Sequence, residues 1–287
     1  MKNIYKLFGA LVMIMLCNQI SAQTAYGYAC AGFGALTPGH LYSFDIDTGA
    51  PTDLGAISCS NNPLTGEFIN GQFYLTDGDV IFPVDMTATC GTAVTITGSA
   101  VGCGTETGLS HDLSSGITYF LCSDGSSTTL HIIDVDSGVT TLVGTLTGVP
   151  IGITLIIDDM GNAWVIEINS DAIFPVSLVD ASVGPAVPLV GLSTSFAQDA
   201  DFDCNGDGAI VGGFYTGGGI SPYGTLDPAT GVFTQITDLG HEVCGFSVDC
   251  RAEVAVPTLG QWGLILLSLG FLAFGSALVY TRRKVFA

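Results

Sequence analysis

Between its two ends this chain has apolar positions in short runs and alternations that end in glycine- or aspartate-rich turns, and only the stretches near the ends are longer. One unit recurs. An apolar strand runs into an Asp-containing turn in His40–Gly49, Val80–Asp85, Leu130–Gly138, Ile173–Leu178 and Tyr223–Gly231. A second strand rich in Thr and Val follows, as in Val139–Gly144 or Val232–Asp238. The Asp-x-x-Gly turn between them supplies the positive-φ position a tight hairpin needs. Further hairpins span Leu64–Leu75 (turn Asn70-Gly71), Leu109–Cys122 (Ser115-Gly116), Gly152–Ile168 (Met160-Gly161-Asn162) and Ala200–Phe214 (Asn205 to Gly208). Unit starts near 41, 80, 130, 173 and 221 are separated by 39, 50, 43 and 48 residues. A period in the forties without a helical pattern predicts propeller blades of four strands. The expected fold is all-β, a five-bladed β-propeller, with a β-sandwich pair as the alternative.

The fifth unit is one strand short, having Ser221–Leu226, Val232–Asp238 and Val243–Asp249 only. Ala25–Cys30, at the other end, is the strand available to complete it. Pairing it beside Val243–Asp249 closes the ring and leaves no blade edge open. In that register Cys30 faces Cys244, which predicts a Cys30–Cys244 disulfide.

Both ends of the chain read as sorting segments. Lys2 and Lys6 precede an apolar Leu7–Leu16 and a small-residue site, Ile20-Ser21-Ala22, which together make a signal peptide over residues 1–22. Leu16 stands where a lipoprotein signal needs a small residue, so Cys17 is not read as a lipidation site. At the other end, Gly263–Tyr280 would make about 27 Å of helix, close to the hydrocarbon thickness of a bilayer. Arg282, Arg283 and Lys284 follow directly and place the tail on the cytoplasmic side. The expected organisation is a signal peptide over 1–22, a propeller ectodomain over 23–254, and a sorting segment over 255–287 with a transmembrane helix at 263–280.

Val256-Pro257-Thr258-Leu259 followed by Trp262-Gly263-Leu264, an apolar span and a basic cluster resembles the IPTL-type C-terminal sorting domains of bacterial surface proteins, with Val256 in place of Ile. The resemblance implies that a membrane peptidase of the exosortase kind recognises the Pro-Thr-Leu region, removes the helix and passes the protein to the surface. It covers about a tenth of the chain and concerns destination alone. The ectodomain unit resembles the uncharacterised Leu-Tyr-x-Ile-Asp-x-x-Thr-Gly propeller repeats of bacterial exported proteins, which implies fold more than function.

Charge is segregated between these parts. The chain has 6 Lys and Arg against 26 Asp and Glu, and Arg251 alone among the basic residues falls within the ectodomain. Without Lys or Arg there is neither phosphate pairing nor counterion release, so nucleic acid and anionic lipid surfaces are excluded as ectodomain partners. Partners are neutral, cationic or bridged by a divalent metal. Apart from Cys17, eight cysteines remain, at 30, 59, 90, 103, 122, 204, 244 and 250. An even number in an exported chain reads as disulfides, and no Cys-x-x-Cys pair suggests a metal site.

Candidate chemistry is sparse. Asp201, Asp203, Asn205 and Asp207 place oxygens at alternate positions with Gly206 at the sixth, as in a calcium loop, yet Gly212 stands where a bidentate glutamate is expected. Asp203 also aligns with Asp112 and Asp158 before hairpin turns, so turn chemistry accounts for much of the motif. His111-Asp112 and His241-Glu242 are sequence neighbours that point to opposite faces of a strand. Gly245-Phe246-Ser247-Val248-Asp249 lacks the last glycine of a nucleophile elbow. Gly212–Gly219 has no basic residue for phosphate and reads as a loop. The expectation is a non-catalytic surface binding, adhesion or structural module without an organic cofactor. The alternative is a calcium-dependent hydrolase drawing on Glu67, His111, Asp158, Asp201 and Glu242 on the innermost strands.

Overall fold

The computed structural model describes residues 23–30, 36–57, 63–103, 106–195, 199–204 and 208–250, and among them every regular element is a strand. The sorting motif Val256, Pro257, Thr258, Leu259, Trp262 and Gly263 and the apolar span 263–280 lie outside these residues.

The strands form five sheets. In the first blade β21 (Val243–Val248), β1 (Thr24–Ala29), β2 (His40–Asp45) and β3 (Pro51–Ala56) run from inside to outside. The second has β4 (Thr65–Ile69), β5 (Gln72–Thr76), β6 (Val80–Val84) and β7 (Val94–Thr95). The third has β9 (Glu106–Asp112), β10 (Ile117–Ser123), β11 (Thr128–Asp134) and β12 (Val139–Thr145), with β8 (Thr97–Gly98) added in parallel outside β12. The fourth has β13 (Gly152–Ile157), β14 (Ala163–Glu167), β15 (Ala172–Val176) and β16 (Val187–Pro188), and the fifth β17 (Asp199–Phe202), β18 (Ile210–Gly213), β19 (Pro222–Leu226) and β20 (Phe233–Asp238). Each inner strand touches the inner strands of both neighbouring blades, in the order β4, β9, β13, β17, β21 and back to β4. The sheets form a closed five-bladed propeller, not a two-layer sandwich. Gly212 and Gly213 end β18, so only the later part of the glycine-rich stretch is a loop.

Five hydrophobic clusters fill the seams, one between each pair of blades. Leu121, Leu155 and Val165 belong to the seam of blades three and four. Phe44, Tyr223 and Phe246 stack where blade five meets blade one, with ring centroids 5.8–6.4 Å apart. The ring is thus held by the same face-to-face burial at its closure as elsewhere.

The closure strand pairs as the missing-strand argument requires, but the register slips at one place. Ala25 lies opposite Val248 and Tyr26 opposite Ser247, yet Tyr28 lies opposite Cys244, with a bulge between Tyr26 and Tyr28. The extra residue is on β21, where Gly245 and Phe246 face Gly27 alone and Gly245 takes the left-handed conformation, φ +60°, that such a bulge uses. Past Ala29, which lies opposite Val243, Cys30 sits beside Glu242, whose carbonyl accepts its amide at 3.1 Å, and not squarely opposite Cys244. The disulfide joins them diagonally, across 5.7 Å between Cα atoms. Two further pairs are Cys103–Cys122 and Cys204–Cys250, and Cys90 is also disulfide-bonded.

Candidate functional site: the carboxyl cluster of the inner strands

Glu67 on β4 and Asp199 and Asp201 on β17 are buried, although an inner strand of apolar residues would pack at lower cost. Strand periodicity puts Asp199 and Asp201 on one side of β17, facing β21. Asp199 Oδ2 accepts hydrogen bonds from Thr65 Oγ1 at 2.9 Å and from the amides of Gly66 and Phe246 at 3.2 Å each. Thr65 Oγ1 in turn accepts from the Leu109 amide on β9, 3.1 Å away. One carboxyl thereby links four inner strands.

The second junction centres on Ser247 of β21. Its hydroxyl lies 2.7 Å from Glu67 Oε1 and 2.8 Å from Asp201 Oδ2. A hydroxyl has one proton to donate, so it donates to one carboxyl and accepts from the other, which must be protonated. The Val248 amide donates to Asp201 Oδ2 at 2.8 Å and the Phe202 amide to Oδ1 at 2.7 Å. These donors favour the charged form of Asp201, and burial has raised its pKa to about 6. Burial, reinforced by the charge of Asp201, pushes Glu67 well above the ordinary range, and with the Phe68 amide as its one backbone donor against two for Asp201, Glu67 is the better place for the proton. Burial also raises Asp199 strongly, against the hydrogen bonds from Thr65, Gly66 and Ala200.

The other anticipated residues are dispersed. His111 Nδ1 is 2.9 Å from Thr118 Oγ1, and burial lowers its pKa. Asp158 is a turn residue, accepting from the amides of Met160 and Asn162 and from Asn162 Nδ2. Glu242 has its pKa raised by burial and shares a hydrogen bond with Tyr215. Of the calcium-loop set, Asp201 faces Ser247, Asp203 is buried after β17, and Asn205 and Asp207 lie outside the described residues. No three His, Cys, Asp or Glu side chains among the described residues gather where they could hold a metal ion. His131 lies between two hydroxyls, with Ser99 Oγ and Thr129 Oγ1 each 2.9 Å from a ring nitrogen.

Sequence reasoning placed Glu67 and Asp201 on inner strands but missed Asp199, Thr65 and Ser247. The alternation Asp199-Ala200-Asp201 on a buried strand was the available signal. Their partners are far away in sequence, 134 residues for Thr65–Asp199 and 180 for Glu67–Ser247.

Residues 254–283 match the IPTL-CTERM motif. No curated protein matches the chain. Among solved structures, a Bacteroides caccae protein of unknown function is similar in fold, with 10% identity over 79% of this chain and 99% of its own and a TM-score of 0.53. A chain of a nidogen/laminin complex aligns at 13% identity over 78% of this chain and 83% of its own, with a TM-score of 0.48.

Proposed function

We propose that this surface-sorted propeller is a non-catalytic binding, adhesion or structural module that presents one face of its wheel outside the cell. The IPTL-CTERM motif marks a protein sorted to the cell surface. In our reading the apolar run 263–280 holds the chain in the membrane until an exosortase-type peptidase acts on the Pro257-Thr258-Leu259 region.

The direction of the inner strands carries the assignment of the face. Asp199 Oδ2 bonds the amides of both Gly66 and Phe246, while Ser247 lies beside Glu67 and Asp201, so β4, β17 and β21 all run the same way. Cys250 therefore emerges at the end of the wheel that carries the turns Asn70-Gly71 and Ser114–Gly116. The start of β1 is there too, since the Asp249 amide donates to the Thr24 carbonyl at 3.1 Å. Thr24 and Asp249 thus lie at one face of the wheel. The opposite face carries the Asp77–Asp79, Asp124–Ser127 and Thr216–Ile220 loops and suits a neutral or cationic ligand.

Leu113 on the turn face and Ile220 on the opposite face are each 53% exposed, which makes a matched test. The full chain is screened against arrays of neutral and amino glycans. Ile220→Arg is expected to abolish retention of a ligand that Leu113→Arg leaves bound, and the reverse pattern would reject the assignment. The alternative, a calcium-dependent hydrolase, draws on the raised pKa values of the carboxyl cluster. Calcium-stimulated lactone or phosphoester cleavage lost in Asp201→Asn would favour it.

A further inference from the structure

The last strand before the tail is covalently held near both of its ends. Cys244, its second residue, is bonded to Cys30, 214 residues away in sequence. Cys250, just past its end, is bonded to Cys204. Between these points β21 is held by its ladder to β1 and by the hydrogen bonds of Asp199, Asp201 and Glu67. Hydrogen-bonded strands pulled from one end give way, and then the adjoining strands follow. Here the covalent path bypasses them.

We infer that the wheel is a tension-bearing closed ring, in which pull between the chain ends passes through Cys30–Cys244 and the short stretch 244–250 instead of unwinding the blades. This bond shunts force around residues 31–243, while Cys204–Cys250 lies off that path and bypasses residues 205–249 only where Cys30–Cys244 is open. The reading of the C-terminus as a surface-sorting segment supplies the source of the tension, and the inference rests on it for that alone. The device is redox-sensitive. A dithiol reductant that gives two electrons and two protons to Cys30–Cys244 leaves two thiols, becomes a disulfide itself, and exposes the blades to unwinding.

The full chain, tethered at its two termini, tests this by single-molecule extension. Residues 1–22 and 251–287 add the same length to every sample. In the oxidised protein the path across the wheel consists of residues 23–30 and 244–250, eight and seven residues, which extend by roughly 50 Å at about 3.3–3.6 Å each. After reduction all of residues 23–250 lengthen, to roughly 750–820 Å on the same scale, about a fifteen-fold increase. The double variant Cys30→Ser/Cys244→Ser is expected to extend by several hundred Å without reductant. Cys103→Ser/Cys122→Ser, which breaks a bond inside one blade, is expected to stay at the oxidised length. An oxidised wild-type chain that extends by hundreds of Å overturns the inference, and so does a reduced chain that remains short under the same force. These lengths do not depend on where the cell delivers the protein. A failed sorting assay would remove the source of tension and leave the ring untouched.

Discussion

Gly245 occupies a place that no other residue can fill without rearrangement. Its φ is +60°, and a Cβ there would lie 2.5 Å from Leu75 Cδ2 and 3.1 Å from backbone atoms of both Gly66 and Thr65. The left-handed conformation costs a side-chain-bearing residue about 1–2 kcal/mol, and overpacking adds about 1–3 kcal/mol. Gly125 is a control of the same kind, with φ +81° and nothing within 4 Å. Gly245→Ala is therefore expected to lower the denaturation midpoint clearly more than Gly125→Ala, and equal losses would mean that strand β21 is not pressed against β4. At this scale the sequence told part of the story. Glycines and aspartates at turns are legible because their partners are adjacent, as when Asp45 Oδ1 takes both the amide and hydroxyl of Thr48. The glycine of Gly245-Phe246-Ser247 instead reflects close approach of a distant strand, which nothing local announces.

Among the elements, the outer strands vary most, and two prolines explain why. Pro83 and Pro175 fall at the same place in the third strands of blades two and four, within Phe-Pro-Val. A proline has no amide to give to a neighbour, and the outer strands beside them, β7 and β16, are reduced to two residues. Gly91 and Gly184 then cross over the proline rings, where Cβ atoms would meet Pro83 Cγ at 2.6 Å and Pro175 Cγ at 3.1 Å. Chain leaving these two blades pairs in parallel with the next blade, through Thr97–Gly98 on β12 and Val190 on Val232. The repeat and the inward hairpins were legible from the hydrophobic alternation. The short outer strands and their parallel extensions were not, because backbone pairing across a blade boundary leaves no periodic side-chain pattern. Closure by β1 belongs to this scale as well. A disulfide that closes a loop this long contributes, in the chain-entropy picture, at most about 5 kcal/mol. Cys30→Ser/Cys244→Ser is expected to lose a large part of that by chemical denaturation at pH 7, whereas a loss under about 1 kcal/mol would mean that the seam packing of Phe44, Tyr223 and Phe246 closes the ring unaided.

For the whole molecule, acidity is the governing property, and its two populations of carboxyls oppose each other. Between Gln23 and Cys250 there is no Lys or Arg, so trypsin is expected to leave that stretch intact even in the reduced, denatured protein, cutting after Arg251. The turn acids Asp45, Asp85, Asp124, Asp134 and Asp227 have pKa values lowered first by hydrogen bonds from the side chains of Thr48, Thr87, Ser126, Ser137 and Thr230. A lowered folded pKa contributes stability that is present above the unfolded value, about 3.9, and disappears as the pH falls through the folded one. Glu67, Asp199 and Asp201 are raised. Above the unfolded value the folded protein keeps protons that the unfolded chain has released, so stability declines as pH rises, through about 6 for Asp201. Self-repulsion of a net charge of −20 at pH 7 acts in the same direction and is weakened by salt. The melting temperature is thus expected to peak at mildly acidic pH, fall on both sides, and rise with added salt more at pH 7 than near pH 4. Glu67→Gln keeps an acceptor for the Phe68 amide and removes one of the three titrating groups, so it is expected to flatten the decline between about pH 4 and 7 while leaving the acid limb unchanged. A Glu67→Gln profile parallel to the wild type across that interval would mean that Glu67 is already ionised in the folded wheel, and the carboxyl proton that faces Ser247 would have to sit on Asp201 instead.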